Sequence, residues 1–167
     1  MKNLNSTRSK ISYICISAII AAMYVALTLV SNIFGLSSGV IQCRLSEALC
    51  ILPYFTPAAV PGVTIGCLLA NLLTTGNPID ILFGTFATFI GMVGAHLLRK
   101  NRWLISLPTI LANTLIIPFV LKYMFMLEES VWYFFVTIFI GELISAGIFG
   151  TALLLAVERH RSRKSNK

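Results

Sequence analysis

Four or more apolar runs, each close to twenty residues long, are separated in this chain by short polar turns. About twenty apolar residues in an α-helix span the ~30 Å hydrocarbon core of a bilayer. Runs of this length point to an all-α integral membrane protein. Composition agrees, since 57% of residues are hydrophobic and 11% charged, which is not the balance of a soluble domain. The polar remainder is too small for a second unit, so a single membrane domain is expected over residues 1–167.

The formal net charge of +7 could point to nucleic acid, but its distribution argues for a membrane. Lys2, Arg8 and Lys10 precede the first apolar run, and Arg99, Lys100 and Arg102 separate two others. Arg159, Arg161, Arg163, Lys164 and Lys167 follow the last, so eleven of thirteen basic residues flank apolar runs. Cytoplasmic segments carry such an excess. The lipid bilayer is the expected surroundings, with both basic tails cytoplasmic, and no nucleic-acid partner is expected. Residues Met1 to Lys10 look like the start of a signal peptide. The apolar run after them continues to Phe34 without a convincing cleavage site, so it reads as a retained first helix.

Six spans are expected, at about 11–34, 45–55, 57–73, 79–98, 103–121 and 131–157. The second is short for a crossing and contains Pro53. It is counted because six crossings put all three basic clusters on one side, whereas a segment that dips in and out would divide them. Span 1 carries Ala18, Ala22 and Ala26 at four-residue spacing, a face that admits another helix closely. That helix is either a neighbour in the same bundle or a separate subunit. Gly84, Thr88, Gly91 and Ala95 form a second such stripe in span 4.

With both termini inside, Gln42, Arg44, Glu47, Asn71 and Asp80 fall at the outer ends of their helices. Glu142 and Asn113 lie deeper, near the midplane. These residues line a cavity open to the outside, or they are loop charges that happen to share a side. A carboxylate at the bilayer centre costs on the order of 2.5–3.5 kcal/mol on insertion scales, so Glu142 should face the bundle interior and have a partner. It serves a ligand, or it hydrogen-bonds Asn113. Arg44 and Glu47, three apart, are placed to pair with each other. Asp80, following Pro78, is placed to cap a helix.

No nucleophile with an adjacent base, Walker loop or metal-ligand spacing occurs. His96 and His160 are isolated, and the four cysteines lie mostly in apolar runs. No catalysis, cofactor or metal is expected, and any active transport must take its energy from elsewhere.

The segment Gln42-Cys43-Arg44-Leu45-Ser46-Glu47-Ala48-Leu49, followed by Leu52-Pro53, Pro57, Pro61-Gly62, Gly66-Cys67, Asn71, Asp80, Gly84 and Thr88, resembles the QueT family. These are substrate-binding S-components of energy-coupling factor (ECF) transporters for queuosine precursors. The resemblance covers about residues 11 to 157, and Cys43 departs from it where an aromatic residue is expected. It implies a six-helix bundle of ECF S-component type. The implied cargo is a 7-deazaguanine: queuine, or the precursors preQ1 or preQ0. The implied partners are a transmembrane coupling subunit, docked on Ala18, Ala22 and Ala26, and two cytoplasmic ATPases. On this resemblance Glu47 or Glu142 reads the guanine-like edge with Asp80 in support, and Gln42, Asn71 or Asn113 donates to the carbonyl. The alternatives are an S-component for another vitamin-like cargo, or a solitary membrane facilitator or scaffold.

Overall fold

A computed structural model of the chain describes residues 2–36, 43–124, 126 and 128–165. Gln42, one of the candidate ligand residues, lies outside them. All regular structure among the described residues is helical. The rods are α1 (Lys2–Ile33), a 3₁₀ helix (Leu45–Tyr54), α2 (Ala59–Thr74) and α3 (Pro78–Leu97). They are followed by α4 (Leu107–Phe119), extended by a π-helical turn at Val120–Met124. The last rod joins α5 (Val131–Glu142), a π-helical stretch at Leu143–Phe149 and α6 (Gly150–Ser165). Four helical stretches are long and apolar enough to cross a membrane: Thr7–Ile33, Pro78–Leu97, Leu107–Met124 and Val131–Lys164. The 3₁₀ helix and α2 are shorter apolar rods between them.

The short second rod runs alongside α1. Its first backbone N–H, at Leu45, donates to Ser31 Oγ at 3.0 Å, near the end of α1. Past its other end, Ala58 O accepts from Ser17 Oγ at 2.9 Å. The chain has thus descended α1 from residue 31 to residue 17, about 21 Å of α-helix. Ten residues wound as 3₁₀ rise about 20 Å, against about 15 Å as α-helix. Tighter winding lengthens the rod by about 5 Å, and residues 55–58 complete the descent.

α2 returns alongside α1 and lies very close to it. A Cβ on Gly62 would sit 2.8 Å from Ser17 O, and one on Gly66 would sit 2.7 Å from Tyr24 Cβ. Only glycine permits that backbone approach. α3 runs back along α2, with Thr88 Oγ1 donating to Cys67 Sγ at 3.2 Å. It packs through Gly91 and Gly94 onto Thr109 and Pro108 of α4. α4 begins at Leu107, not at Trp103, and Pro108 lies in its first turn, where a missing N–H costs nothing. Gly150 closes the bundle, with space for a Cβ only 3.1 Å from Ile51 of the 3₁₀ helix.

The three basic clusters meet at one end, as an even number of passes requires. Arg102 Nη1 lies 3.5 Å from Glu158 Oε2, joining the α3–α4 connection to α6. The Arg161 guanidinium stands 4.8 Å over the Phe55 ring, next to the end of the 3₁₀ helix. Tyr13, three residues after Lys10, donates to Pro57 O at 3.4 Å. The alanine stripe takes no part in this packing. α1 turns Ser17, Ile20, Ala21, Tyr24, Thr28 and Ser31 inward, while Ala18, Ala22 and Ala26 are exposed on its opposite side. Packing within the chain therefore does not account for that stripe.

Candidate functional site: a polar cavity in the half of the bundle away from the basic end

A cavity of about 190 Å³ opens between the 3₁₀ helix, the α2–α3 turn, α3, α4 and α5. One water needs only ~10–15 Å³ of such space, so there is room for a larger guest. Arg44, Glu47, Asp80, Asn113 and Glu142 line it, with Thr75 and Thr88 beside them. Gly84, Ile117, Leu121 and Ile138 supply its apolar surface.

Arg44 immediately precedes the 3₁₀ helix, in extended backbone. Its Nη1 donates to Asn71 Oδ1 at 3.1 Å. Among the described residues no ion pair within 4.0 Å joins it to Glu47. Asn71 does not line the cavity. It is fully buried one layer behind, where it orients Arg44 and donates through Nδ2 to Asp80 O at 3.4 Å. Gly84 makes that layer possible, because a Cβ there would sit 2.8 Å from Asn71 Nδ2. Gly84→Ala should therefore displace Asn71 and release Arg44. Overpacking of this kind costs typically 1–3 kcal/mol, and a lowered melting temperature of the detergent-solubilised protein would register it. An unchanged melt and unchanged ligand affinity would mean that the amide moves aside freely.

Glu47 is buried with both carboxylate oxygens engaged. Tyr24 Oη donates to Oε1 at 2.6 Å and Cys50 Sγ donates to Oε2 at 3.1 Å. Asp80 sits in the first turn of α3, but the cap is Asn77, whose Oδ1 accepts from Ile79 N at 2.9 Å. Asp80 is thereby free to face the cavity, its Oδ2 accepting from Thr75 Oγ1 at 2.9 Å. Glu142 is the last residue of α5 before the helix widens into its π-helical stretch, a local geometry frequent at functional sites. Its Oε1 accepts from Asn113 Nδ2 at 2.7 Å. Its Oε2 is buried with no partner.

Five of the seven candidate residues thus share one cavity, Asn71 supports it from behind, and Gln42 lies outside the described residues. Sequence reasoning missed the cavity-lining roles of Ile117, Leu121, Ile138 and Thr75. The first three were legible as helical periodicity. Asn113, Ile117 and Leu121 recur every four residues, as do Asp80, Gly84 and Thr88, and Ile138 precedes Glu142 by four. Each polar anchor marks a stripe that turns into the cavity. Among the described residues no aromatic ring lines it, and the apolar surface offered to a flat guest is aliphatic. One guanidinium faces three carboxyl groups among the described residues, with one buried carboxyl oxygen unpartnered, and this suits a guest rich in N–H donors.

A family model described as "QueT transporter" matches residues 14–159. The chain is 36% identical over 83 residues to a protein of Lactococcus lactis subsp. cremoris (strain MG1363) named "Queuosine precursor transporter QueT". That alignment covers 50% of this chain and 48% of the relative, so the chain spans about half the relative's length. No solved structure matches the chain. Matched over nearly its entire membrane region, this multi-pass helical protein belongs to the QueT transporter family.

Proposed function

We propose that the chain acts as one membrane domain that captures a 7-deazaguanine precursor of queuosine, as the substrate-binding subunit of an ECF-type importer. The observation that carries this reading is the buried, unpartnered Oε2 of Glu142 on the cavity wall. A 7-deazaguanine presents a ring N–H and an exocyclic amine side by side, and a carboxylate accepts such a pair in bidentate fashion. Glu142 is the acid best suited to that edge, because the Glu47 oxygens already accept from Tyr24 and Cys50. Arg44 spends one N–H on Asn71 and keeps others for the ligand carbonyl. Ile117, Leu121 and Ile138 cover a ring face.

The basic clusters gathered at one end support cytoplasmic termini in a bacterial plasma membrane, which turns the cavity toward the outside. The exposed Ala18, Ala22 and Ala26 support docking on a transmembrane coupling subunit driven by two ATPases. The subunit itself performs no chemistry in this scheme.

Thermal stabilisation of the detergent-solubilised protein tests the cargo. A ligand at a hundred times its Kd stabilises the state that binds it by about 2.7 kcal/mol. With three carboxyl groups against one guanidinium, the cationic aminomethyl precursor preQ1 should raise the melting temperature more than the neutral nitrile preQ0 at equal concentration. A response to flavin, thiamine or biotin, with none to any 7-deazaguanine, would reassign the cargo.

A further inference from the structure

We infer that Tyr24 is a positioning residue for ligand capture: its phenol, reaching from α1 to Glu47, ties the cavity to the helix whose other face is bare. The inference rests on the cargo reading above for its ligand and on the following geometry for its substance.

No described side chain of α1 lines the cavity wall. The helix nevertheless holds the start of the 3₁₀ helix through side chains on one face. Tyr24 Oη donates to Glu47 Oε1 at 2.6 Å, Thr28 Oγ1 donates to Ser46 Oγ at 2.9 Å, and Ser31 Oγ accepts from Leu45 N at 3.0 Å. Spaced by four and three residues, the three side chains form one stripe along the helix. Tyr24 is fully buried and Glu47 is 2% exposed, so water does not substitute for the bond between them. The other donor to Glu47, the Cys50 thiol, is a weak one. Of the three cavity acids, Glu47 is the one aimed by a residue that does not itself face the guest. Asp80 and Glu142 are held by Thr75 and Asn113, which line the cavity too.

The phenol lies on the side of α1 opposite Ala18, Ala22 and Ala26, two turns or less from each. Hydrogen bonds weaken steeply as they lengthen or bend. A displacement of α1 by whatever presses on its bare face therefore reaches Glu47 through this contact. By linkage, a guest lying against Glu47 on the cavity wall resists the same displacement.

Tyr24 also packs against Gly66, so loss of affinity on mutation does not by itself distinguish positioning from core packing. A double-mutant cycle does. The wild type, Tyr24→Phe, Glu47→Gln and the double variant are titrated with preQ1 in detergent. Phenylalanine keeps the ring and removes the donor, so Tyr24→Phe should weaken binding up to about tenfold, because the ligand must then order a Glu47 that the phenol no longer aims. In the Glu47→Gln background the same change should alter Kd less than about twofold, within the additivity error of such cycles. Equal losses in both backgrounds, or no loss in either, would overturn the assignment.

Amide hydrogen exchange of the ligand-free proteins is the second readout. Tyr24→Phe should speed exchange in 45–54 and leave α3 and α4 unchanged. If the wild type binds no 7-deazaguanine, the cargo reading fails, and exchange alone then decides the role of Tyr24. It also decides if Glu47→Gln binds too weakly to titrate. Unchanged exchange in 45–54 counts against the inference in either case.

Discussion

Glu142→Gln should weaken preQ1 binding by about a hundredfold or more and leave the ligand-free protein at least as stable as the wild type. Glutamine preserves the shape and, through its carbonyl, preserves the acceptor for Asn113 Nδ2, now at 2.7 Å. It places an amide N–H₂ where Oε2 now stands unpartnered, so a donor faces the donors of the guest. The hydrogen bond at Oε2 is lost, at about 1.5–3 kcal/mol, and the one at Oε1 no longer meets a charge, while every 1.4 kcal/mol is tenfold in Kd. The stability of the empty protein should move the other way. A half-satisfied carboxylate in the membrane is costly, and an amide relieves part of that cost. Calorimetric titration and a thermal melt separate the two effects. A fall in melting temperature with affinity intact would make Glu142 a structural partner of Asn113 and remove it from the ligand.

The second large effect is expected far from the cavity. On the importer reading proposed above, Ala22→Trp should leave folding and preQ1 affinity unchanged while cutting uptake by about tenfold or more in cells that also express an ECF energising module. Ala22 is exposed on α1 with Ala18 and Ala26, and the helix already packs on α2 and the 3₁₀ helix with its other side. An indole there meets lipid or detergent in the free subunit and strains nothing. Against a docked helix it overfills a close contact, at a cost of typically 1–3 kcal/mol. Co-purification of the coupling subunit should fall in step with uptake. Full uptake would show the stripe to be a lipid-facing surface. Loss of folding would show that the bundle needs it, contrary to its exposure.

Much of the architecture was legible because membrane insertion acts on local composition. The apolar runs gave the rods, and the basic clusters gave the even number of passes that brings Arg102 to Glu158. Charge placement predicted a passage for Leu45–Tyr54, a short apolar rod that runs beside α1. Its 3₁₀ winding has no sequence signature of its own, and it depends on α1 accepting and donating hydrogen bonds along its length. Small-residue stripes were legible as close-packing surfaces, though not their use. The alanines of α1 stay bare. The stripe in α3 divides, with Gly84 and Thr88 at the cavity and Gly91 against Thr109 of α4.

The candidate site divides in the same way. Polar side chains stranded in apolar sequence identified Arg44, Glu47, Asp80, Asn113 and Glu142, since each costs too much in lipid to face it. Pairings inferred from adjacency fared worse. Arg44 and Glu47 are three apart, yet each bonds a residue on another helix, Asn71 and Tyr24.

By itself the sequence determined which segments are apolar enough to enter a membrane and which side chains would avoid it, because solvation free energy is assigned residue by residue. Which oxygen is left over was decided only in three dimensions. Asn113 and Glu142 are 29 positions apart, and Tyr24 and Glu47 are 23 apart. Whether their atoms come within hydrogen-bonding distance depends on the packing of helices that no local pattern encodes. That packing occupies both oxygens of Glu47 and leaves one oxygen of Glu142 facing the cavity.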